Sequence, residues 1–321
     1  MSQPAAADNP PMLVTGAVVT PELARHLPAS GIGSLMAYWR FYRAVAAAQL
    51  ADWLGGSAHC GRELLVDMSG PHLSCADQAA SEGHTVVHVA PAEHAASAVT
   101  ARPAAPRPAL PVLTAAPKPR NGSTGSAGRA GARRLRGGSV TTVRADPAAL
   151  PFLDDRCVDG VIADDRTFSR HLFTEQAIAE AARVLRPGGR LFACFDSLVL
   201  GMAVLAEQRH WAELIDLPSA EVVLVPWPDG SITRCFGIEH VRDLFAEARL
   251  DITSIRPRTM LSPTTVEHVL GRNKAALMHL VRAELAADPD ESVGIHLVVS
   301  ARKRRPRANR RSHAKQRLRQ P

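Results

Sequence analysis

Acidic residues stand just beyond several short apolar runs of this chain, where a carboxylate can accept hydrogen bonds from the hydroxyl or amino groups of a ligand. Asp67 closes the run Glu63 to Met68 and is followed by Ser69, Gly70, Pro71 and His72. Asp146 follows Val140 to Arg144 and precedes Pro147, and Asp164 follows Val158 to Ala163, with His171 seven residues on. A glycine such as Gly70 lets the backbone approach a ligand closely, because no side chain stands in the way. A histidine or carboxylate serves as general base where a substrate must lose a proton, which makes Asp164 and His171 the catalytic candidates. Each also has a plain structural reading: Asp67 as a turn residue, Asp146 as a turn former before proline, each histidine as a surface or satisfied one. His72, His84, His171 and His210 have no metal-ligand spacing, and the five cysteines, at 60, 75, 157, 194 and 235, form no CxxC pair. Reduced, buried thiols are the expectation, with no metal site.

The elements that must position these residues alternate. Glu63 to Met68 reads as a strand, Leu73 to Glu82 as a helix closed by Gly83, and Thr85 to Val89 as a second strand, which together make a βαβ unit of a parallel sheet. Strands at Val140–Arg144 and Val158–Ala163, a helix at Thr174–Leu185 and a strand at Arg190–Phe195 continue the rhythm. Arg186-Pro-Gly-Gly189 supplies the turn before the last of these. Further on, the pattern predicts a helix over Met202–Ile215 and a hairpin of Val222–Val225 and Ile232–Phe236 around Asp229-Gly230. It then predicts a helix over Ile238–Ala248, a strand over Asp251–Ile255, a helix over Thr265–Ala287 with Thr264 and Glu267 as its capping box, and a strand over Val293–Ser300. Upstream, apolar residues at helical spacing from Ser34 to Leu54 carry two of the four tryptophans and both tyrosines.

Composition sets the boundaries. The 321 residues carry a formal charge of +7, but 102–136 and 302–321 hold 8 and 10 basic residues and no acid. The remainder therefore has 20 basic against 31 acidic residues, so a basic nucleic-acid-binding fold is not the default. At 46% hydrophobic the chain can bury a core, which excludes disorder throughout. The reading is a flexible arm over 1–30, a folded domain over 31–301 with a disordered insertion over 95–138, and a basic disordered tail over 302–321. The insertion, rich in Ala, Pro, Arg and Gly, has too few large apolar residues to offset its ordering entropy. No stretch has the length of apolar residues that spans a bilayer, and the first residues lack a secretory pattern, so the expected location is cytoplasmic with no membrane partner.

The block Glu180-Ala-Ala-Arg-Val-Leu-Arg-Pro-Gly-Gly-Arg-Leu-Phe192 resembles the helix and fifth strand of the class I S-adenosylmethionine-dependent methyltransferases. Val143 to Phe152, with Asp154 and Val158-Asp-Gly-Val161, is similar to that family's third-to-fourth-strand stretch, and Gly294 to Lys303 to its final strand. The resemblance spans roughly Arg62 to Lys303 with the insertion set aside. It implies an α/β, doubly wound, mostly parallel seven-stranded sheet with an antiparallel strand near one edge, and S-adenosyl-L-methionine as cofactor. It further implies that Asp67, Ser69 and Gly70 hold the methionine part, that Asp146 takes the adenine amino group beside an apolar wall from Pro147 to Leu150, and that Ala90 stands where an acid usually binds the ribose. The glycine-rich motif is degenerate: one glycine remains, the loop is about one residue short, and His72 occupies a usual glycine position. Glu93 is the nearest acid to Ala90.

The implied activity is methyl transfer to a small-molecule acceptor. Ala163-Asp-Asp-Arg-Thr-Phe168 lacks the Asn/Asp-Pro-Pro-aromatic motif of nucleic-acid amino-methyltransferases. The alternative is a methyltransferase-like binding or regulatory module without catalysis, recruited to nucleic acid through the tail Arg302 to Arg319. That tail carries no aromatic residue, so such binding would be phosphate-driven and salt-dependent.

Overall fold

The computed structural model describes residues 35–56, 61–72, 74–91, 138–227, 230–286 and 294–305. The expected arm, nearly all of the insertion, the tail beyond Arg305, Cys60 and Glu93 lie outside them. The elements run α1 (Met36–Gly55), β1 (Leu64–Asp67), α2 (Ser74–Ser81), β2 (Thr85–Pro91), β3 (Ser139–Ala145) and β4 (Val158–Ala163). They continue with α3 (Thr167–Arg170), α4 (Thr174–Val184), β5 (Leu185–Ser197), α5 (Leu198–Glu207), α6 (Trp211–Asp216), β6 (Val222–Pro226) and β7 (Ile232–Phe236). The chain closes with α7 (Ile238–Glu247), β8 (Leu250–Arg258), α8 (Pro263–Arg272), α9 (Leu277–Leu285) and β9 (His296–Lys303). The sheet is mixed and mostly parallel, as expected for the α/β class. Nine strands are described rather than seven, because the β6–β7 hairpin adds an antiparallel pair.

The chain divides into two compact units. One comprises Trp53–Phe195, Glu239–Ser254 and Val299–Pro321. Its strands lie in the order β3-β2-β1-β4-β5, all parallel. Central strands read as continuous apolar runs because both faces are covered, whereas the edge strand β3 alternates half-buried with exposed residues. Strand order runs outward from β1 to β2 and β3 on one side and from β4 to β5 on the other. A crevice for ligands therefore opens beyond the carboxyl ends of β1 and β4.

Four features hold this unit. Phe168, Phe195 and Phe245 pack in sequence at centroid distances of 5.5 and 5.9 Å. Arg190, nearly buried, donates Nη2–H to Glu63 Oε2 at 2.8 Å and lies 4.4 Å over the Trp53 ring. Arg183 donates to Glu180 through Nε and Nη2 at 2.8 and 2.7 Å, to Asp155 at 2.7 Å, and to the carbonyls of Leu150 and Leu153, both at 3.0 Å. Hydrogen bonds from that guanidinium hold the Glu180 and Asp155 carboxyls below their ordinary range. Lys303 at the end of β9 caps α4, donating to the carbonyls of Ala182 and Leu185 at 2.5 and 2.8 Å.

The other unit comprises Met1–Asp52, Asp196–Ile238 and Ile255–Val298. Tyr38, Phe41 and Val45, one face of α1, pack with Val266, Leu270 and Val281 of α8 and α9. Asp196 and Ser197 pair in parallel with Cys235 and Phe236, and β7 pairs antiparallel with β6. Arg258, almost wholly buried, donates Nε–H to Gln49 Oε1 at 2.7 Å and lies 5.6 Å over the Tyr42 ring.

Several boundaries depart from the sequence reading. The expected helix Met202–Ile215 is two helices, because Arg209 adopts φ 61 and ends α5. The expected helix Thr265–Ala287 is also broken, at Asn273, whose side chain accepts from the Ala275 N–H at 3.0 Å. Its capping box does not form: Ser262 caps α8 by accepting from the Thr265 N–H at 3.2 Å, and Glu267 accepts instead from the Tyr38 N–H at 2.9 Å. Arg186 to Gly189 is absorbed into β5 as an irregularity where pairing steps from Val158–Leu185 to Gly160–Arg190, with Gly188 at φ 82.

Glu63→Ala leaves the Arg190 charge buried without its carboxylate, and a loss of about 3–5 kcal/mol is expected in urea unfolding. Because Glu180 titrates below its ordinary value when folded, its ion pair stabilises above that ordinary value and fades as pH falls through the lowered one. The melting-temperature gap between wild type and Arg183→Met should accordingly be largest near neutrality and shrink below about pH 4.

Candidate functional site

Two loops, one after β1 and one after β4, are fastened to each other by side chains bonding backbone. Asp67, fully buried, accepts the Ser69 N–H at Oδ1 at 3.0 Å, and its Oδ2 lies 3.1 Å from Nδ1 of the equally buried His88 on β2. Ser69 Oγ in turn accepts the Asp164 N–H at 3.0 Å. Thr167 Oγ1 lies 2.7 Å from the Met68 carbonyl and 2.9 Å from that of Asp164. This network is buried and internally matched, which is the condition under which buried polar groups rigidify a site.

A cavity of about 260 Å³ opens above it, walled by Met68 and Gly70 after β1, Pro91 ending β2, Ala145 and Asp146 at the end of β3, and Asp165, Arg170 and His171 after β4. Its volume is just under the roughly 300–1,000 Å³ usual for ligand pockets. Four consecutive strand ends thus contribute to one concave wall, at the switch point of the strand order.

Asp146 Oδ1 accepts the Ala148 N–H at 2.8 Å and lies 2.9 Å from His171 Nε2. The Phe173 N–H reaches His171 Nδ1 at 3.2 Å. A backbone donor at Nδ1 places the ring proton on Nε2, so His171 donates to Asp146 and both of its nitrogens are engaged. Asp146 remains half exposed while fixed from two sides. Beside His171, Arg170 Nη1 lies 3.2 Å from Asp165 Oδ2. Asp165 and Arg166 have φ of 51 and 61, two successive non-glycine residues in the left-handed region. That turn brings Asp165 against Gly70, where an added Cβ would stand 3.3 Å from the carboxylate oxygen.

Of the candidates read from the sequence, Gly70, Asp146 and His171 line the cavity together. Asp67, Ser69 and Asp164 form the buried network beneath it, where the Asp164 carboxylate lies 3.9 Å from Cys75 Sγ. Ala90 pairs with Arg144 in the ladder, next to the lining residue Pro91. Leu150 belongs elsewhere: its N–H donates to Glu180 Oε1 at 2.7 Å and it borders a separate depression with Glu180 and Arg183. Pro147, from the same expected wall, does line the cavity. Asp165, Thr167 and Arg170 were not singled out in the sequence, and only the adjacent acids Asp164-Asp165 after an apolar strand signal them. Among the described residues no cluster of three or more His, Cys, Asp or Glu could hold a metal, the four described cysteines are free thiols, and no helix is long and apolar enough to cross a membrane.

Residues 122–193 match the model of a methyltransferase domain. The match spans about a fifth of the chain, and its described part holds β3, β4, α3, α4 and most of β5, including Asp146 and the wall from Asp165 to His171. No curated protein matches the sequence. Among solved structures, a SAM-dependent methyltransferase from Methanosarcina mazei is similar at 14% identity and TM-score 0.45, covering 76% of this chain and 94% of its own. A 1,6-didemethyltoxoflavin-N1-methyltransferase from Burkholderia thailandensis is similar at 14% identity and TM-score 0.44, covering 83% and 79%. A Listeria monocytogenes structure described as a S-adenosylmethionine-dependent methyltransferase shares 9% identity at TM-score 0.46, covering 82% and 100%.

Gly70→Ala sets a side chain at φ 99 against the Asp165 carboxylate, and a loss of at least about 1 kcal/mol in thermal or urea unfolding is expected.

Proposed function

We propose that the cavity beyond β1 to β4 binds S-adenosyl-L-methionine and that the chain transfers its methyl group to a small-molecule acceptor. The observation that carries this reading is Asp146: a carboxylate at the end of β3, held by the Ala148 N–H and by His171, half exposed in the wall of a cavity at the switch point. A carboxylate so fixed suits an exocyclic amino group, with Pro147 and Pro91 as apolar surfaces beside a flat ring. Charge agrees as well. With His171 neutral, the ionised lining groups Asp146, Asp165 and Arg170 sum to one negative charge, complementary to a sulfonium whose amino-acid end is a neutral zwitterion.

When bound, the sulfonium supplies an electrophilic methyl carbon. The chain's own work is then to hold donor and acceptor in line and to exclude water. Asp67 and Ser69 act from beneath, fixing the loop that carries Met68 and Gly70. Proton removal is a separate matter. Neither nitrogen of His171 is available without breaking a hydrogen bond, and Asp164 is buried in the loop network. Such a wall suits an acceptor that is nucleophilic without early loss of a proton. The free thiols of the four described cysteines suit a cytoplasmic place of action. Recruitment of nucleic acid by the basic tail is a separable proposal, since nearly all of 302–321 lies outside the described residues.

Calorimetry of the full chain with S-adenosylhomocysteine should give micromolar affinity, and Asp146→Ala should weaken it roughly ten- to a hundredfold. No binding to the wild type at millimolar ligand would overturn the reading.

A further inference from the structure

We propose that Asp165 and Arg170 form a clamp for the amino-acid end of the bound ligand, Asp165 taking the α-ammonium and Arg170 the α-carboxylate. The inference rests on the cofactor reading above and assigns this end to residues after β4 rather than to the shortened loop after β1.

Three observations converge on it. Asp165 and Arg170 line the same cavity as Asp146, and their side chains, about 40% and 39% exposed, pair at 3.2 Å with each other. An ion pair with both members open to a cavity is a matched receptor for a zwitterion, because each charge can exchange its partner for the opposite charge of the ligand without any charge being left unpaired. Arg170 also presents a planar fork to a carboxylate, which gives direction as well as attraction.

The second observation is the backbone. Two successive left-handed non-glycine residues cost about 1–2 kcal/mol each, and the Thr167 and Ser69 bonds hold that turn in place. What the turn achieves is to bring Asp165 over Gly70, where a Cβ would stand 3.3 Å from the carboxylate oxygen, a tight contact. Strain maintained by a buried network and directed at a cavity marks a functional placement.

The third is the state of the loop itself. Asp67 is fully buried, with one carboxylate oxygen on the Ser69 N–H and the other on His88, so it is committed to the fold rather than to a ligand. The Ser69 N–H is likewise spent on Asp67. Of the loop, Met68, Gly70 and Pro71 reach the cavity wall; the Met68 N–H is spent on the Ile162 carbonyl and proline has none to give, which leaves the Gly70 N–H as the loop's backbone contribution. An amino-acid end lying over Gly70 therefore meets Asp165 and Arg170 first.

The test compares S-adenosylhomocysteine with 5′-methylthioadenosine, which keeps the adenosine and lacks the amino-acid end, by calorimetry on the full chain. The wild type should prefer S-adenosylhomocysteine by about tenfold or more, and Asp165→Asn and Arg170→Gln should each reduce that preference to within about threefold. Both variants should bind 5′-methylthioadenosine as the wild type does, which shows that the fold and the adenosine end of the cavity are intact. Variants that keep the full preference would overturn the clamp while leaving the cofactor reading standing. Variants that lose 5′-methylthioadenosine as well would also overturn it, by showing that the pair maintains the shape of the cavity. A wild type that binds neither compound would overturn both.

Discussion

The cavity depends on the burial of one carboxylate. Asp67 closes β1 inside the sheet, where an unpaired charge would be prohibitive, so its two oxygens must find donors there. Ser69 N–H and His88 supply them, and in doing so fix the direction in which the chain leaves the strand. Ser69 is then placed to accept from the Asp164 N–H, which fixes the start of the loop after β4. Thr167 returns the connection to the Met68 carbonyl. Asp67, Met68, Ser69, Asp164 and Thr167 thus form one connected set of bonds that ties the end of β1 to the loop after β4.

The same principle recurs at the surface of the cavity, with a different consequence. Asp146 is held by His171 and Asp165 by Arg170, so each carboxylate facing the cavity already has a cationic or N–H partner. Water competes for these groups because they are partly exposed, and such pairs contribute little to stability, about 0–1 kcal/mol each. Their value is orientation. A ligand that exchanges partners with them gains hydrogen bonds without having to order the side chains first, which is one of the costs of binding.

Much of this was legible in the sequence where local signals and tertiary structure agree. Val158–Ala163 is a strand to the residue, and Gly83, with φ 101, ends α2 with the Gly83 N–H on the Ala80 carbonyl and the His84 N–H on that of Ala79. Arg209 ends α5 by the same pair of bonds, to Ala206 and from His210 to Leu205, at φ 61. No glycine announces that stop, so the periodic apolar pattern reads straight through it. Asn273 and Ser262 set helix ends through side-chain bonds whose alternatives, Thr264 and Glu267, look equally good in a line of text. Gly70, Asp146 and His171, which the sequence reading picked by residue type and position beyond an apolar run, line one cavity. Leu150 was misplaced for a reason of geometry: the chain turns after Asp146, bridging to Ala149, and carries Leu150 into the core beside Glu180.

Asp165 and Arg170 escaped notice because nothing in their residue types distinguishes them from a solvated pair. Their significance comes from a backbone conformation, and φ of 51 and 61 at an aspartate and an arginine cannot be read from composition. Their placement also gives the degenerate loop a physical meaning. A glycine-rich loop binds by bringing backbone close to the ligand, and replacing glycines removes that option. Gly70 stands where the Asp165 side chain of the other loop comes close, so its lack of a Cβ makes room for Asp165 as well as for a ligand. In this chain the loop after β1 offers one glycine to the cavity, and the turn after β4 offers the charged side chains, so recognition of a polar ligand end rests on the side chains after β4 more than on the backbone after β1.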